Sequence, residues 1–176
     1  MEKIVQSPAT EPHAKTNPSA PSRRMFLFGA GAATLGLATY AGTHARHELE
    51  VTERTFPIVD LPDPFVGMRL VQISDLHTEE FTEPWFLKQV VDRINQINPD
   101  MVLITGDFVS RGPAPRRVAL RAAGVAAELL SEIRAPRVAI LGNHDVGVGA
   151  DWVVHELELH GTPVLIDSYL PVRRAR

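Results

Sequence analysis

An α/β fold with a mostly parallel sheet is predicted by two features of the chain. Apolar runs of strand length alternate with helical stretches, and three of those runs end directly in Asp, His or Asn. Strands alternating with helices build βαβ units with right-handed crossovers. In open α/β sheets the ligand site lies beyond the carboxyl ends of the strands, so these polar residues are expected to converge on one edge.

The elements follow in order. Glu50 to Val59 has some alternation and reads as an edge strand. Leu61-Pro62-Asp63-Pro64 is a turn. Arg69 to Ser74 (RLVQIS) reads as a strand that runs into Asp75-Leu76-His77. Thr82 is placed to cap a helix with Pro84 in its first turn, and Phe86, Val90, Ile94 and Ile97 recur at helical spacing until Asn98-Pro99 stops it. Met101 to Thr105 (MVLIT) is a continuous apolar run, the mark of a strand buried on both faces, and Gly106-Asp107 follows. Pro115 to Arg134 is rich in Ala, Leu and Arg and reads as a helix. Val138 to Leu141 (VAIL) is a third buried strand, followed by Gly142-Asn143-His144-Asp145. Asp151 to His160 is a helix closed by Gly161, and Val164 to Asp167 starts a fourth strand.

The first 45 residues read as an address rather than as part of this fold. Met1 to Ser22 is polar, rich in Pro, Ser and Thr and without periodicity, hence expected to be disordered. Arg23-Arg24 then precede an uncharged run from Met25 to Ala45, a charged n-region before an h-region. The arginine pair with Phe26-Leu27 behind it resembles the twin-arginine (Tat) export signal. A transmembrane anchor is the competing reading, since about 20 apolar residues span a bilayer. Thr39 and Ala41, or Thr43 and Ala45, suit a cleavage site. The Tat translocase is therefore the expected partner. The chain is expected to be periplasmic or, uncleaved, tethered to the outer face of the cytoplasmic membrane through residues 25–45. Residues 46–176 remain for the folded domain.

Composition narrows the function. The chain is 44% hydrophobic and 22% charged, with a net charge of −3, so no nucleic-acid partner is expected. It has no cysteine, which excludes disulfides and thiolate metal sites. The oxygen and nitrogen donors remain. Asp75 and His77 are two apart and point the same way if strand geometry persists. Asp107 stands at the end of the neighbouring strand, and its two oxygens can bridge two cations. Asn143 offers a carbonyl oxygen to the second. Two cations about 3.5–4 Å apart can clamp the attacking and leaving oxygens of a phosphoryl displacement and lower the pKa of a bound water. His144 is then free to act as general acid. Each residue alone has a plainer reading, as a helix cap, a turn residue or a surface histidine; the joint pattern carries the inference. A nucleotide-binding protein of another kind would need a G-x-G-x-x-G or G-x-x-x-x-G-K-[ST] loop, and neither occurs.

The three motifs S-D-L-H, T-G-D and L-G-N-H-D, each after an apolar strand, resemble the calcineurin-like metallophosphoesterase superfamily. The resemblance runs from about Leu61 to Asp167. GMRLVQISDLH, INPDMVLITGDFV and VAILGNHD are most similar to its exported or membrane-tethered YkuE/YaeI-like phosphodiesterase branch. It implies an α/β/β/α sandwich that hydrolyses phosphomonoesters or phosphodiesters with two divalent metal ions (Mn²⁺, Fe²⁺, Zn²⁺ or Co²⁺). By the matching motifs, Asp75 and His77 would ligate the first metal, Asp107 would bridge both, Asn143 would bind the second, and His144 would be the catalytic histidine. Arg111 could contact substrate phosphate. Lipid headgroups or cell-wall phosphates suit the expected location.

The sequence also departs from the family. The pattern continues with a further His and a G-H-x-H motif, which these residues lack; His155 and His160 read as solvated helix positions. Ser110 stands where many relatives have an Asp that orients the catalytic histidine, so His144 is expected to be less basic. Glu79 and Glu80 read as solvated loop charges. The chain is expected to hold about half the sandwich, truncated at its C-terminal side as a fragment, a frame change after about Asp167 or a split gene. Hydrolysis by it alone is expected to be weak or absent. The alternative is a non-catalytic exported or membrane-tethered domain remnant.

Overall fold

The computed structural model describes residues 23–43, 47–113 and 115–173. The polar stretch before Arg23, Ala45 and the last three residues lie outside the described residues. The chain divides into two compact units, Met1–Glu48 and Leu49–Arg176.

Among the described residues, the first unit contains one α-helix, α1 (Arg23–Thr43). Its span Arg23–Gly42, with a mean hydropathy of 1.3, is long and apolar enough to cross a membrane. Twenty residues at about 1.5 Å each reach about 30 Å, the thickness of a hydrocarbon core. The hydroxyls of Thr34 and Thr39 donate to the carbonyls of Ala30 and Leu35 at 2.9 and 2.8 Å, which satisfies them within the helix.

The second unit is a parallel sheet with helices against one face. β1 (Leu70–Ile73), β2 (Met101–Ile104) and β3 (Arg137–Ala139) lie in the order β1-β2-β3. β1 and β2 pair from Leu70 opposite Met101 to Ile73 opposite Ile104, and β2 and β3 from Val102 opposite Arg137 to Ile104 opposite Ala139. α2 (Pro84–Ile97) and α3 (Arg116–Ser131) make the two crossovers, and α4 (Asn143–Leu159) follows β3. Val71, Ile73, Val102, Ile104 and Ala139 share one core with the helices. On the opposite face Leu70 and Ile140 are 53% and 44% exposed. One sheet with one helical layer is half of an α/β/β/α sandwich.

Several boundaries differ from expectation, each for a local reason. No strand forms over Glu50–Val59; Pro57 removes a ladder donor, and Phe56, Ile58 and Val59 are exposed rather than packed. The fourth strand reduces to one rung between Val164 and Ala139, because Asp167 turns left-handed (φ 46°). Glu83, not Thr82, caps α2, since Thr82 bridges back to Thr78. The buried row of α2 is Leu87, Val91 and Ile94, one residue round from the predicted row, while Phe86, Val90 and Ile97 are half-buried. Asn98 ends the helix in the left-handed region (φ 50°), as Asn tolerates. In β2, Val102 and Ile104 are fully buried, but Leu103 on the other face is only half-buried. α3 turns Ala122, Ala123, Ala126, Ala127 and Leu130 inward, and the alanines let it lie close to α4.

Arg137 at the head of β3 locks this layer from below. Its guanidinium donates to Thr162 Oγ1 at 2.6 Å, to the Ile133 carbonyl at 3.0 Å and to the His160 carbonyl at 2.9 Å. It thus joins the end of α3 to the end of α4, although burial pushes its pKa down. Lysine cannot reproduce this fork. Arg137→Lys is expected to cost about 1–3 kcal/mol, read as a lowered thermal midpoint; an unchanged midpoint would show that the fork contributes nothing.

Candidate metal centre

The sheet ends build the site. Beyond β1 and β2 the chains stay paired in irregular form. Asp75 N–H donates to the Gly106 carbonyl (3.1 Å), His77 N–H to Asp107 (2.9 Å) and Thr78 N–H to Phe108 (2.9 Å). Strand geometry does not persist here as expected. Asp75, His77 and Asp107 all take positive φ, at 56°, 42° and 56°. Asp and His tolerate this region better than most residues, at about 1–3 kcal/mol of strain each. Asp75 and His77 still converge, because both are left-handed, spaced by an ordinary residue, and bonded to the same neighbouring segment.

One donor atom from each of Asp75, His77 and Asp107 lies within 4.8 Å of the others. Metal–oxygen and metal–nitrogen bonds of about 2.1 Å reach about 4.2 Å across a cation, so small side-chain adjustments close this set on one divalent ion. The donor chemistry of two carboxylates and an imidazole fits such an ion. His77 Nε2 is 3.9 Å from Asp75 Oδ1. Its Nδ1 is 3.0 Å from Oγ of Ser110, a residue only 7% exposed. The serine therefore occupies the other nitrogen and turns Nε2 toward the carboxylates, as outer partners of metal-binding histidines do.

The second strand end is clamped to the third. An added Cβ at Gly106 (φ 92°) would overlap the Gly142 amide, and one at Gly142 would overlap the Asp107 carboxylate. Only glycine fits these positions. Asp145, fully buried, accepts three amides: Asp107 N–H (2.8 Å), Val109 N–H (3.2 Å) and Gly142 N–H (2.9 Å). Burial pushes its carboxyl above the usual range, the three amides oppose that, and the Asp107 carboxylate adds to it. The bond back to Gly142 caps α4 at its third position. α4 therefore begins at Asn143, eight residues before the predicted helix at Asp151, and carries a kink at Gly149. His144 N–H donates to Asp107 Oδ1 at 3.0 Å, so the positive end of α4 steadies that carboxylate.

The remaining predicted residues sit around this frame. The His144 ring lies 4.8 Å from the His77 ring, nearly perpendicular. The Arg111 amide donates to His144 Nδ1 at 2.8 Å, so a neutral His144 carries its proton on Nε2. Ser110 bonds His77, and the backbone amide of Arg111, not the Ser110 side chain, holds His144. The exposed Arg111 side chain passes along Gly147, where a Cβ would come within 2.8 Å of its Cδ. Asn143, exposed, is the first residue of α4, between Gly142 and His144. His155 is exposed beside Trp152, and His160 is half-buried with Nδ1 against the Glu156 carbonyl (2.9 Å). Asp145 was missed as a site residue, although its place three beyond Gly142 was a readable capping signal.

Acidic and imidazole donors past the ends of parallel strands, steadied by a helix N-terminus, define an α/β protein with a group that could hold a divalent metal. Residues 68–172 match the family model of the calcineurin-like phosphoesterases, and the chain belongs to that family. It is 36% identical over 135 residues to the uncharacterized metallophosphoesterase YkuE of Bacillus subtilis, covering 72% of this chain and 46% of the relative. It is 34% identical over 120 residues to the UDP-2,3-diacylglucosamine pyrophosphatase LpxG of Chlamydia muridarum (65% and 34%). It is 32% identical over 115 residues to a transmembrane protein with metallophosphoesterase domain of Danio rerio (64% and 24%). The chain thus spans less than half the length of these relatives.

Two substitutions probe the frame. Asp145→Asn replaces an acceptor oxygen with an NH₂ group that faces an amide donor. It is expected to cost about 1–3 kcal/mol and lower the thermal midpoint; a wild-type melt would mean that the three bonds are energetically idle. Ser110→Ala is expected to weaken Mn²⁺ binding about 10–100-fold in calorimetry while Ser110→Thr keeps it. Equal affinities for the alanine variant and wild type would remove Ser110 from the centre.

Proposed function

We propose that this chain carries the metal- and phosphate-binding part of a phosphoesterase that works outside the cytoplasmic membrane. The observation that supports it is the convergence of Asp75, His77 and Asp107 donors within 4.8 Å, with the His144 ring beside them. In this reading Asp75 and His77 would hold one cation, Asp107 would serve both that ion and a second, and Asn143 would bind the second. Bound divalent cations neutralise phosphate charge and supply a nucleophilic water at neutral pH. The chain's own residues do the rest. Ser110 orients His77, and the Arg111 amide keeps the proton of a neutral His144 on Nε2, from which it donates a hydrogen bond to the leaving oxygen. Arg111 contacts a phosphate oxygen from its place along α4.

The location rests on the arginine pair at the head of α1 and on the length and apolarity of that helix. Residues 1–45 are read as a Tat-type leader or anchor and 46–176 as the phosphoesterase part. A lipid-linked or cell-wall phosphoester suits that location, and the name of one relative specifies a diacylated sugar nucleotide. A second reading, a non-catalytic exported or membrane-tethered domain that binds metal weakly or not at all, is favoured by the donor count: the second cation has Asp107 and Asn143 alone among the described residues assigned to it.

Calorimetry on the full chain separates the two. Mn²⁺ is expected to bind the wild type and to lose most of its heat in Asp107→Ala, with hydrolysis of bis-p-nitrophenyl phosphate at or near background. Negligible heats for both proteins would leave the domain without a metal centre. Vigorous metal-dependent turnover would show that the assigned donors are enough.

A further inference from the structure

The turn that presents His77 to the metal centre also presents Phe81. The amides of Glu80, Phe81 and Thr82 all donate to the His77 carbonyl, at 3.3, 3.0 and 3.3 Å, and Glu79 N–H closes the loop on the Thr82 carbonyl at 2.9 Å. Thr78 beneath it is buried and bridges to Thr82. Phe81 is therefore fixed to the frame of its neighbour His77. Its ring stands edge-on to the His77 ring, with centroids 5.8 Å apart, yet it is 65% exposed. The ring stands in solvent beside the phosphate site and offers an apolar surface to whatever the phosphate carries. The flanking charges narrow the choice. Glu79 and Glu80 are exposed on the same loop, and the Glu80 carboxylate reaches Gly112, next to Arg111. Further negative charge on the substrate would be repelled there, whereas a hydrocarbon group would not.

We propose that Phe81 is the apolar wall of the phosphate site and selects phosphoesters whose group next to the phosphate is a hydrocarbon chain. The inference rests on the metal-centre reading of Asp75, His77 and Asp107. It makes Phe81 a specificity residue: it adds affinity for the organic part and leaves the phosphate contacts alone. Covering about half of a phenyl ring corresponds to about tenfold in affinity.

The test is calorimetry on the full, Mn²⁺-loaded chain with methyl phosphate and with octyl phosphate below its micelle concentration. Octyl phosphate is expected to bind about tenfold tighter than methyl phosphate. Phe81→Ser should bring that ratio close to one with methyl phosphate affinity unchanged, and Phe81→Leu should keep most of it. Because Phe81 is exposed, these variants are expected to melt like wild type. A wild-type ratio near one, or a ratio unaltered in Phe81→Ser, overturns the proposal and leaves the metal centre standing. Failure of methyl phosphate to bind the Mn²⁺-loaded wild type overturns the phosphate site itself, and the proposal with it.

Discussion

A single buried carboxylate holds the site together. Asp145 belongs to α4, yet two of its three hydrogen bonds go to the loop after β2. Burying a carboxylate is costly unless its oxygens are satisfied, and three amides from two loops do that here. The arrangement requires the two loops to touch, which is why Gly106 and Gly142 meet where no Cβ fits. Asp107 and His144 then come together as neighbours of the same clamp, with the amide of one on the carboxylate of the other. Packing of β2 against β3 fixes the strands to each other; Asp145 extends that precision past the strand ends, where the chemistry lies.

The first loop is held differently. Asp75 and His77 have no buried carboxylate beneath them, and both sit in a strained backbone region. What compensates is continued pairing with residues 106–108. Each left-handed residue keeps its amide bonded to the loop after β2, so the strain is spread over a ladder rather than left in a free loop. The consequence is that His77, Asp145 and His144 all refer back to Asp107. Its backbone carbonyl receives His77, its amide is held by Asp145, and one carboxylate oxygen is held by His144. The other oxygen is the one that a cation beside Asp75 and His77 could take.

The three motifs were legible in the sequence because each depends on local signals: an apolar run, then a polar residue that the run cannot bury. The same signals located all three paired strands and the helices between them. What was not legible depends on partners distant in sequence. Alternation over Glu50–Val59 promised a strand, but a strand needs a neighbour, and nothing in that segment names one. The buried row of α2 is Leu87, Val91 and Ile94 because of how the helix lies on the sheet; Phe86, one residue away, fits the same spacing equally well. Ser110 was read against the motif position of an aspartate, which pointed to His144. The hydroxyl reaches His77 instead, because the loop after β2 runs beside the loop after β1 and gives His144 to the next amide in the chain.

That exchange of partners gives the two neighbouring histidines opposite characters. A backbone amide can only donate, so the nitrogen of His144 that it meets carries no proton, and the proton faces outward on Nε2. A hydroxyl can accept, so His77 can keep its proton on Nδ1 toward Ser110 and leave Nε2 as a lone-pair donor beside Asp75. One ring thus offers a lone pair at Nε2 and the other a hydrogen-bond donor at Nε2, with the ring centroids 4.8 Å apart. An aspartate at position 110 could also accept the Nδ1 proton of His77, as carboxylate partners of metal-binding histidines do, and would make the ring more basic. The neutral serine fixes the same ring nitrogen without adding a fourth carboxylate to a site that already gathers Asp75, Asp107 and Asp145.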